Sequence, residues 1–231
     1  MPFFYLDYWY IVLVVPALLL AFWAQINVNT TFSRYSKVTA LSGMTGAESA
    51  RRVLEANGVA GVRIERISGN LTDHFDPRTN TIRLSESVYD ATTVSAVGVA
   101  AHEAGHAVQY AVGYSPMKLR AAIIPATNIG SQLAMPLVLL GLLLSSAMLV
   151  DIGIVAFSMS TLFQLVTLPV EFNASRRAVA TLEASCVSAA EVKGAKAVLR
   201  AAALTYVAAL AVSLASLLRI ILLFGGRSRR D

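Results

Sequence analysis

The stretch 99–113 reads "VAAHEAGHAVQYAVG". It is either an ordinary apolar helix that happens to carry two imidazoles or the helix around which a metal centre is built. Two of the chain's three histidines stand in it four residues apart, with a glutamate between them. Positions i and i+4 lie on one helix face about a turn apart, so His102 and His106 can converge on one ion. The preceding run "VSAVGVAA" offers them no polar partner. Polar groups in an apolar helix are costly unless paired or bound to a metal, and the metal reading follows.

Around this helix the chain is dominated by apolar runs. Of its 231 residues, 56% are hydrophobic and 14% charged, more apolar than a typical soluble domain. Four runs, 5–24, 128–149, 152–170 and 203–224, approach the ~20 apolar residues that cross a bilayer as a helix. The first, "YLDYWYIVLVVPALLLAFWA", has no basic residue before it and no small-residue cleavage site after it. It reads as a retained span rather than a removed signal peptide. Its Tyr5, Tyr8, Trp9, Tyr10 and Trp23 suit interfacial aromatic belts, and Pro16 is tolerable in a membrane helix. The single cysteine, Cys186, excludes an intrachain disulfide. A net charge of +5 would suggest nucleic acid or anionic lipid for a soluble protein. Here the basic residues flank spans, so they are read as setting orientation, and no nucleic-acid partner is expected.

The segment 25–127 carries ten Lys and Arg and 171–202 carries five, against Arg227, Arg229 and Arg230 on the opposite side. The two larger polar segments are therefore expected to face the cytoplasm, with the N-terminus outside. The polar part reads as a small α/β unit. Residues 46–57 have helical character and stop at Gly58. "VRIERI" (62–67) alternates like a strand, "LTDHF" (71–75) is a second extended run after the Gly69-Asn70 turn, and "TIRLS" (81–85) is a third strand after the turn 76–80. A helix then runs from Thr92 or Thr93 through Tyr110 and stops near Gly113. The expected fold is an α-helical integral membrane protein of about four transmembrane helices with a small α+β, zincin-like catalytic domain. Its parts are helix 1 (1–24), the α+β domain (25–127), a hairpin of helices 2 and 3 (128–170), a helical segment with a third ligand (171–202), helix 4 (203–224) and a basic tail (225–231).

Zinc takes neutral imidazole nitrogens at ~2.0–2.1 Å, and catalytic zinc keeps three protein ligands and one open position. Glu103, one step round the helix from His102, can reach a water on the metal without being a ligand, which is where a general base must sit. The pattern His-Glu-x-x-His is that of a zinc metalloprotease helix. No histidine follows His106, so the third ligand must be a carboxylate. Asp151 sits at the expected turn 150–151 on the far side of the membrane, Asp231 ends the chain, Glu191 closes a capping box in "SAAE" (188–191), and Glu183 has no special context. Glu171, in "LPVEFNASRRA", returns to the side of His106 after two spans and is the expected ligand; the competing reading pairs it with Arg176 or Arg177.

"AHEAGHAVQY", "LPVEFNASRRA", "LTDHFDPRTNTIRLS" and "AEVKGAKAVLRAAALTYVAA" together resemble the YugP-like neutral zinc metallopeptidases of bacterial membranes, in order and over most of the chain. The chain is more distantly similar to the HtpX/Ste24 membrane gluzincins, whose third ligand lies in Glu-x-x-Ala-Asp. Here that element reads Glu171-Phe172-Asn173-Ala174-Ser175, so Ser175 stands where an acid would orient a zinc histidine. The resemblance implies one Zn2+ per chain, held by His102, His106 and Glu171, with Glu103 moving the proton in peptide hydrolysis. The oxyanion donor is sought among His74, Tyr110, Arg176 and Arg177; His74 reads either as a substrate contact or as a turn residue bonding backbone, and strand 81–85 either pairs with substrate or is an ordinary sheet strand. Protein or peptide substrates, the bilayer of the bacterial inner membrane, and a second copy or membrane partner proteins are the expected partners. The alternatives are a non-proteolytic membrane scaffold with a structural zinc site and, more weakly, a transporter. Asp7 and Arg219, both inside spans, either pair or snorkel separately.

Overall fold

Pro16 has no N–H to give the Val12 carbonyl, and its ring crowds the preceding turn. The first helix, α1 (Tyr10–Tyr35), answers by widening into a π-turn over Tyr10–Val14 before continuing regularly. Asp7 stands before it and accepts a hydrogen bond from the Tyr10 N–H at 2.9 Å, satisfying one of the donors that a helix start leaves free. The computed structural model describes residues 7–185 and 188–224. Tyr5, Cys186, Arg227, Arg229, Arg230 and Asp231 lie outside the described residues. After α1 come α2 (Gly46–Ala56), β1 (Arg63–Ile67), β2 (His74–Asp76), β3 (Thr81–Ser85), α3 (Glu86–Tyr89), α4 (Val94–Ala111), α5 (Ser115–Leu143), α6 (Ala147–Ala184) and α7 (Ala189–Phe224). The fold is thus mostly helical with one small sheet, and α1, α5, α6 and α7 are each long and apolar enough to cross a membrane.

The chain divides into two compact units. The first holds the described residues of Met1–Ala24, Leu119–Leu168 and Thr205–Asp231. Its helices approach through small residues. A Cβ on Gly141 would stand 2.7 Å from the Val150 nitrogen, one on Gly130 2.9 Å from the Ala156 oxygen, and one on Gly153 2.9 Å from the Ala134 oxygen. Lipid gives helices no hydrophobic reason to associate, so close backbone contact supplies the attraction. Thr161 and Ser213 share a 2.7 Å hydrogen bond between α6 and α7. Arg219 Nε donates to Asp7 Oδ2 at 2.8 Å, and its guanidinium lies 5.2 Å from the Tyr10 ring centroid. The two charges therefore pair. The break between α5 and α6 falls at 144–146, not at 150–151: Ser145 takes φ 52°, and the Ser146 N–H returns to the Gly141 carbonyl at 2.8 Å. Serines compete with a helix through their own hydroxyls, whereas Asp151 sits exposed within α6.

The second unit holds Gln25–Lys118 and Pro169–Leu204. Thr45 and Glu48 form a reciprocal cap at the start of α2, with bonds of 2.8 and 3.2 Å. The helix buries Val53 and Leu54, and Ser49 Oγ donates to the Val97 carbonyl of α4. The sheet order is β1-β3-β2, with β1 parallel and β2 antiparallel to β3. β3 is paired on both sides, and Ile82 and Leu84 are fully buried. It therefore has no free edge for a substrate, and of the two readings of 81–85 the ordinary sheet strand holds. β2 begins at His74, later than expected, because Leu71 takes φ 56° and Asp73 turns its carboxylate to the Ser85 N–H at 2.7 Å. The cap Ser188–Glu191 opens α7 as read from sequence, and Glu191 Oε1 also accepts from the Ser42 N–H and hydroxyl, 149 residues away.

Candidate metal centre

α4 starts where Thr93 Oγ1 accepts from the Ala96 N–H and stops before Gly113, whose φ of 65° suits a residue without a side chain. Between these ends it is lined with small residues, which lets neighbouring backbones come close. A Cβ on Gly105 would stand 2.6 Å from the Ala174 carbonyl oxygen of α6, and one on Gly98 3.3 Å from Ala195 of α7. The first approach places Glu171, three residues before Ala174, against the histidines. Its Oε2 lies 3.3 Å from His102 Nε2 and 3.6 Å from His106 Nε2. The two imidazole rings are 4.7 Å apart and nearly perpendicular.

One donor atom from each of these residues lies within 4.8 Å of the others. A tetrahedral zinc with bonds of ~2.0–2.1 Å spaces its ligand atoms about 3.4 Å apart. The Glu171 distances of 3.3 and 3.6 Å match that spacing, and two imidazoles with one carboxylate are a zinc donor set. Glu171 is 3% exposed, so its negative charge is poorly solvated, and a cation held between it and the two imidazoles would compensate for that burial. Burial works against a charged His106, but the bond to Glu171 and the charges of Glu103 and Glu171 outweigh it, and its pKa lies above the ordinary value.

Glu103, 9% exposed, stands close enough for its charge to act on His106. Ser175 Oγ lies 3.1 Å from His102 Nδ1. On the other histidine, His106 Nδ1 lies 3.0 Å from Gln109 Oε1. Gln109 Nε2 donates to the Val170 carbonyl and to Asn173 Oδ1, and Arg177 Nε donates to the same Asn173 oxygen. Gln109 and Asn173 escaped the sequence reading. The available signal was an amide three residues past His106, on nearly the same helix face, in an otherwise apolar run.

His74 Nδ1 lies 2.8 Å from the Thr72 carbonyl in its own turn. Tyr110 is half exposed, with its ring 5.8 Å from that of Phe75 in β2. Arg176 is exposed. Among the acids set aside as ligands, Glu183 pairs with Lys196 and Glu191 serves as a cap.

Residues 10–225 match the family described as "Putative neutral zinc metallopeptidase". The chain is 49% identical over 216 residues to "Putative membrane protease YugP" of Bacillus subtilis (strain 168), an alignment covering 93% of this chain and 96% of that protein. No solved structure matches it.

Proposed function

The chain belongs to the neutral zinc metallopeptidase family, and from that premise we propose that it is an integral-membrane zinc endopeptidase acting on membrane or misfolded proteins. The observation that carries the reading is the convergence of His102, His106 and Glu171, with Glu103 close enough for its charge to act on His106. The proposed type is a gluzincin with one zinc per chain, related distantly to the HtpX/Ste24 enzymes. Its zincin-like domain is assigned to 25–127, completed by 171–202, with spans in 1–24, 128–170 and 203–224 and a basic tail at 225–231. The preponderance of Lys and Arg in the two polar segments supports a plasma-membrane protein whose catalytic part faces the cytoplasm.

Zinc, when bound, polarises the scissile carbonyl and acidifies a water molecule. His102, His106 and Glu171 hold the ion. Glu103 accepts the water's proton and delivers it to the leaving amine, so the carboxylate ends the cycle as it began. His74, Tyr110, Arg176 and Arg177 are the proposed pool from which the oxyanion donor comes. Because β3 is enclosed, strand addition by an extended substrate would need one of the two outer strands, β1 or β2. A non-proteolytic scaffold with a structural zinc would need a fourth protein donor, and three converge among the described residues.

The test is cleavage of an unfolded reporter protein by the purified, detergent-solubilised chain beside Glu103→Gln. Cleavage by the parent alone, abolished by a chelator and restored by zinc, is expected, with a loss of about 10²–10⁴-fold in the variant. Tight zinc binding by both chains without cleavage by either would favour the structural site.

A further inference from the structure

Gln109 is completely buried, less than one turn past His106 in α4. The two ends of its amide differ: the oxygen accepts and the nitrogen donates. The nitrogen lies 2.8 Å from the Val170 carbonyl, which can only accept, and 3.0 Å from Asn173 Oδ1. The Asn173 oxygen is itself fixed, because Arg177 Nε, which can only donate, lies 2.8 Å from it. Turning the Gln109 amide over would set oxygen against oxygen at both places. Its own oxygen therefore faces His106 Nδ1 at 3.0 Å, and that contact requires the hydrogen on Nδ1. A neutral imidazole with its hydrogen on Nδ1 carries its lone pair on Nε2, the nitrogen turned toward Glu171. His102 is not locked in the same way, since its Nδ1 meets the Ser175 hydroxyl, which can donate or accept.

We propose that Gln109, held by Val170, Asn173 and Arg177, is a positioning residue that fixes His106 in its metal-ligating tautomer, so that zinc affinity depends on a buried amide relay from α4 to α6. The proposal rests on the metal-site reading above. Partners of this kind change metal affinity by about 10–100-fold when removed.

The test compares the full chain in detergent with Gln109→Met, which keeps the bulk and loses both hydrogen-bonding functions, and Gln109→Glu, which keeps an accepting oxygen. Zinc affinity is read by competition with a chromophoric chelator. The tautomer is read from ¹⁵N-histidine spectra of the metal-free chain at alkaline pH, where the chain's three histidines are assigned by substituting each in turn. Gln109→Met is expected to weaken zinc binding about 10–100-fold and to turn the His106 signal from the Nδ1–H form into a tautomer mixture. Gln109→Glu keeps an oxygen toward Nδ1 but sets its second oxygen against those of Val170 and Asn173, so it is expected to keep the Nδ1–H form and to recover only part of the affinity, binding zinc more tightly than Gln109→Met. A packing role alone predicts the reverse order, because buried methionine is tolerated better than buried glutamate. If Gln109→Met does not fold, Asn173→Ala, which removes one of the two acceptors holding the amide, is expected to shift the same two readouts less. Equal affinity and an unchanged His106 tautomer in the variants would overturn the proposal. A parent chain that binds zinc no better than His102→Ala would instead sink the metal-site reading, while the metal-free spectra would still decide whether Gln109 locks the ring.

Discussion

Ser175 Oγ stands 3.1 Å from His102 Nδ1. A hydroxyl can hold the ring but brings no charge to strengthen the histidine as a donor. Ser175→Ala should therefore weaken zinc binding by about 10-fold, the low end for partners of this kind, and leave cleavage at saturating zinc nearly unchanged. Chelator competition paired with turnover at high zinc checks it; a fall in turnover with unchanged affinity would assign Ser175 to the substrate side instead. At this scale the sequence disclosed what local spacing can disclose. His102, Glu103 and His106 follow from one turn of helix, whereas Glu171 emerged only after the other acids were given better explanations. Gln109 and Asn173 stayed hidden because their partners lie on another helix, and no pattern within α4 fixes the register between α4 and α6.

That register is set by a missing side chain. Gly105 lies inside the motif, and its role depends on the Ala174 carbonyl: an added Cβ would stand 2.6 Å from that oxygen, which is backbone and cannot swing aside. Gly105→Ala should push α6 away, cost about 1–3 kcal/mol of stability as overpacking, and weaken zinc binding by displacing Glu171. Gly98→Ala is the comparison, because its Cβ would meet Ala195 at 3.3 Å, a contact that a small shift relieves. Thermal melts and zinc titrations of the two variants should separate them; equal behaviour would mean that the Gly105 contact does not set the site. The glycine could be read in sequence as room beside a metal, but not as a helix crossing. The elements themselves were more legible. α2, α4, β1 and β3 announce themselves through caps, glycine stops and alternation. β2 was misplaced because Leu71 breaks the extended run with a positive φ that its side chain does not advertise. Whether β3 is a docking edge or an interior strand stayed open, because sheet order, unlike strand identity, is not written in local alternation.

For the whole molecule, apolar run length was enough to find the four long helices, since a bilayer asks for little more than length and hydrophobicity. What run length could not supply was how the first and last long helices are tied. Asp7 and Arg219 are 212 residues apart in sequence, yet Arg219 Nε donates to Asp7 Oδ2 at 2.8 Å and the guanidinium lies over Tyr10. Each charge alone is costly in an apolar setting, and the pair offsets part of that cost while joining α7 to the start of α1. Either single reversal, Asp7→Arg or Arg219→Asp, sets like charges together and should destabilise the detergent-solubilised chain by on the order of 1–3 kcal/mol. The double reversal restores opposite charges at the same two positions and should recover most of the loss in melting temperature. Recovery will be incomplete, because Asp7 also accepts from the Tyr10 N–H, and arginine, having no acceptor, cannot. A double variant that melts no higher than the weaker single one would show that the charges act independently, each solvated at its own interface, and that α1 and α7 are held by helix packing alone.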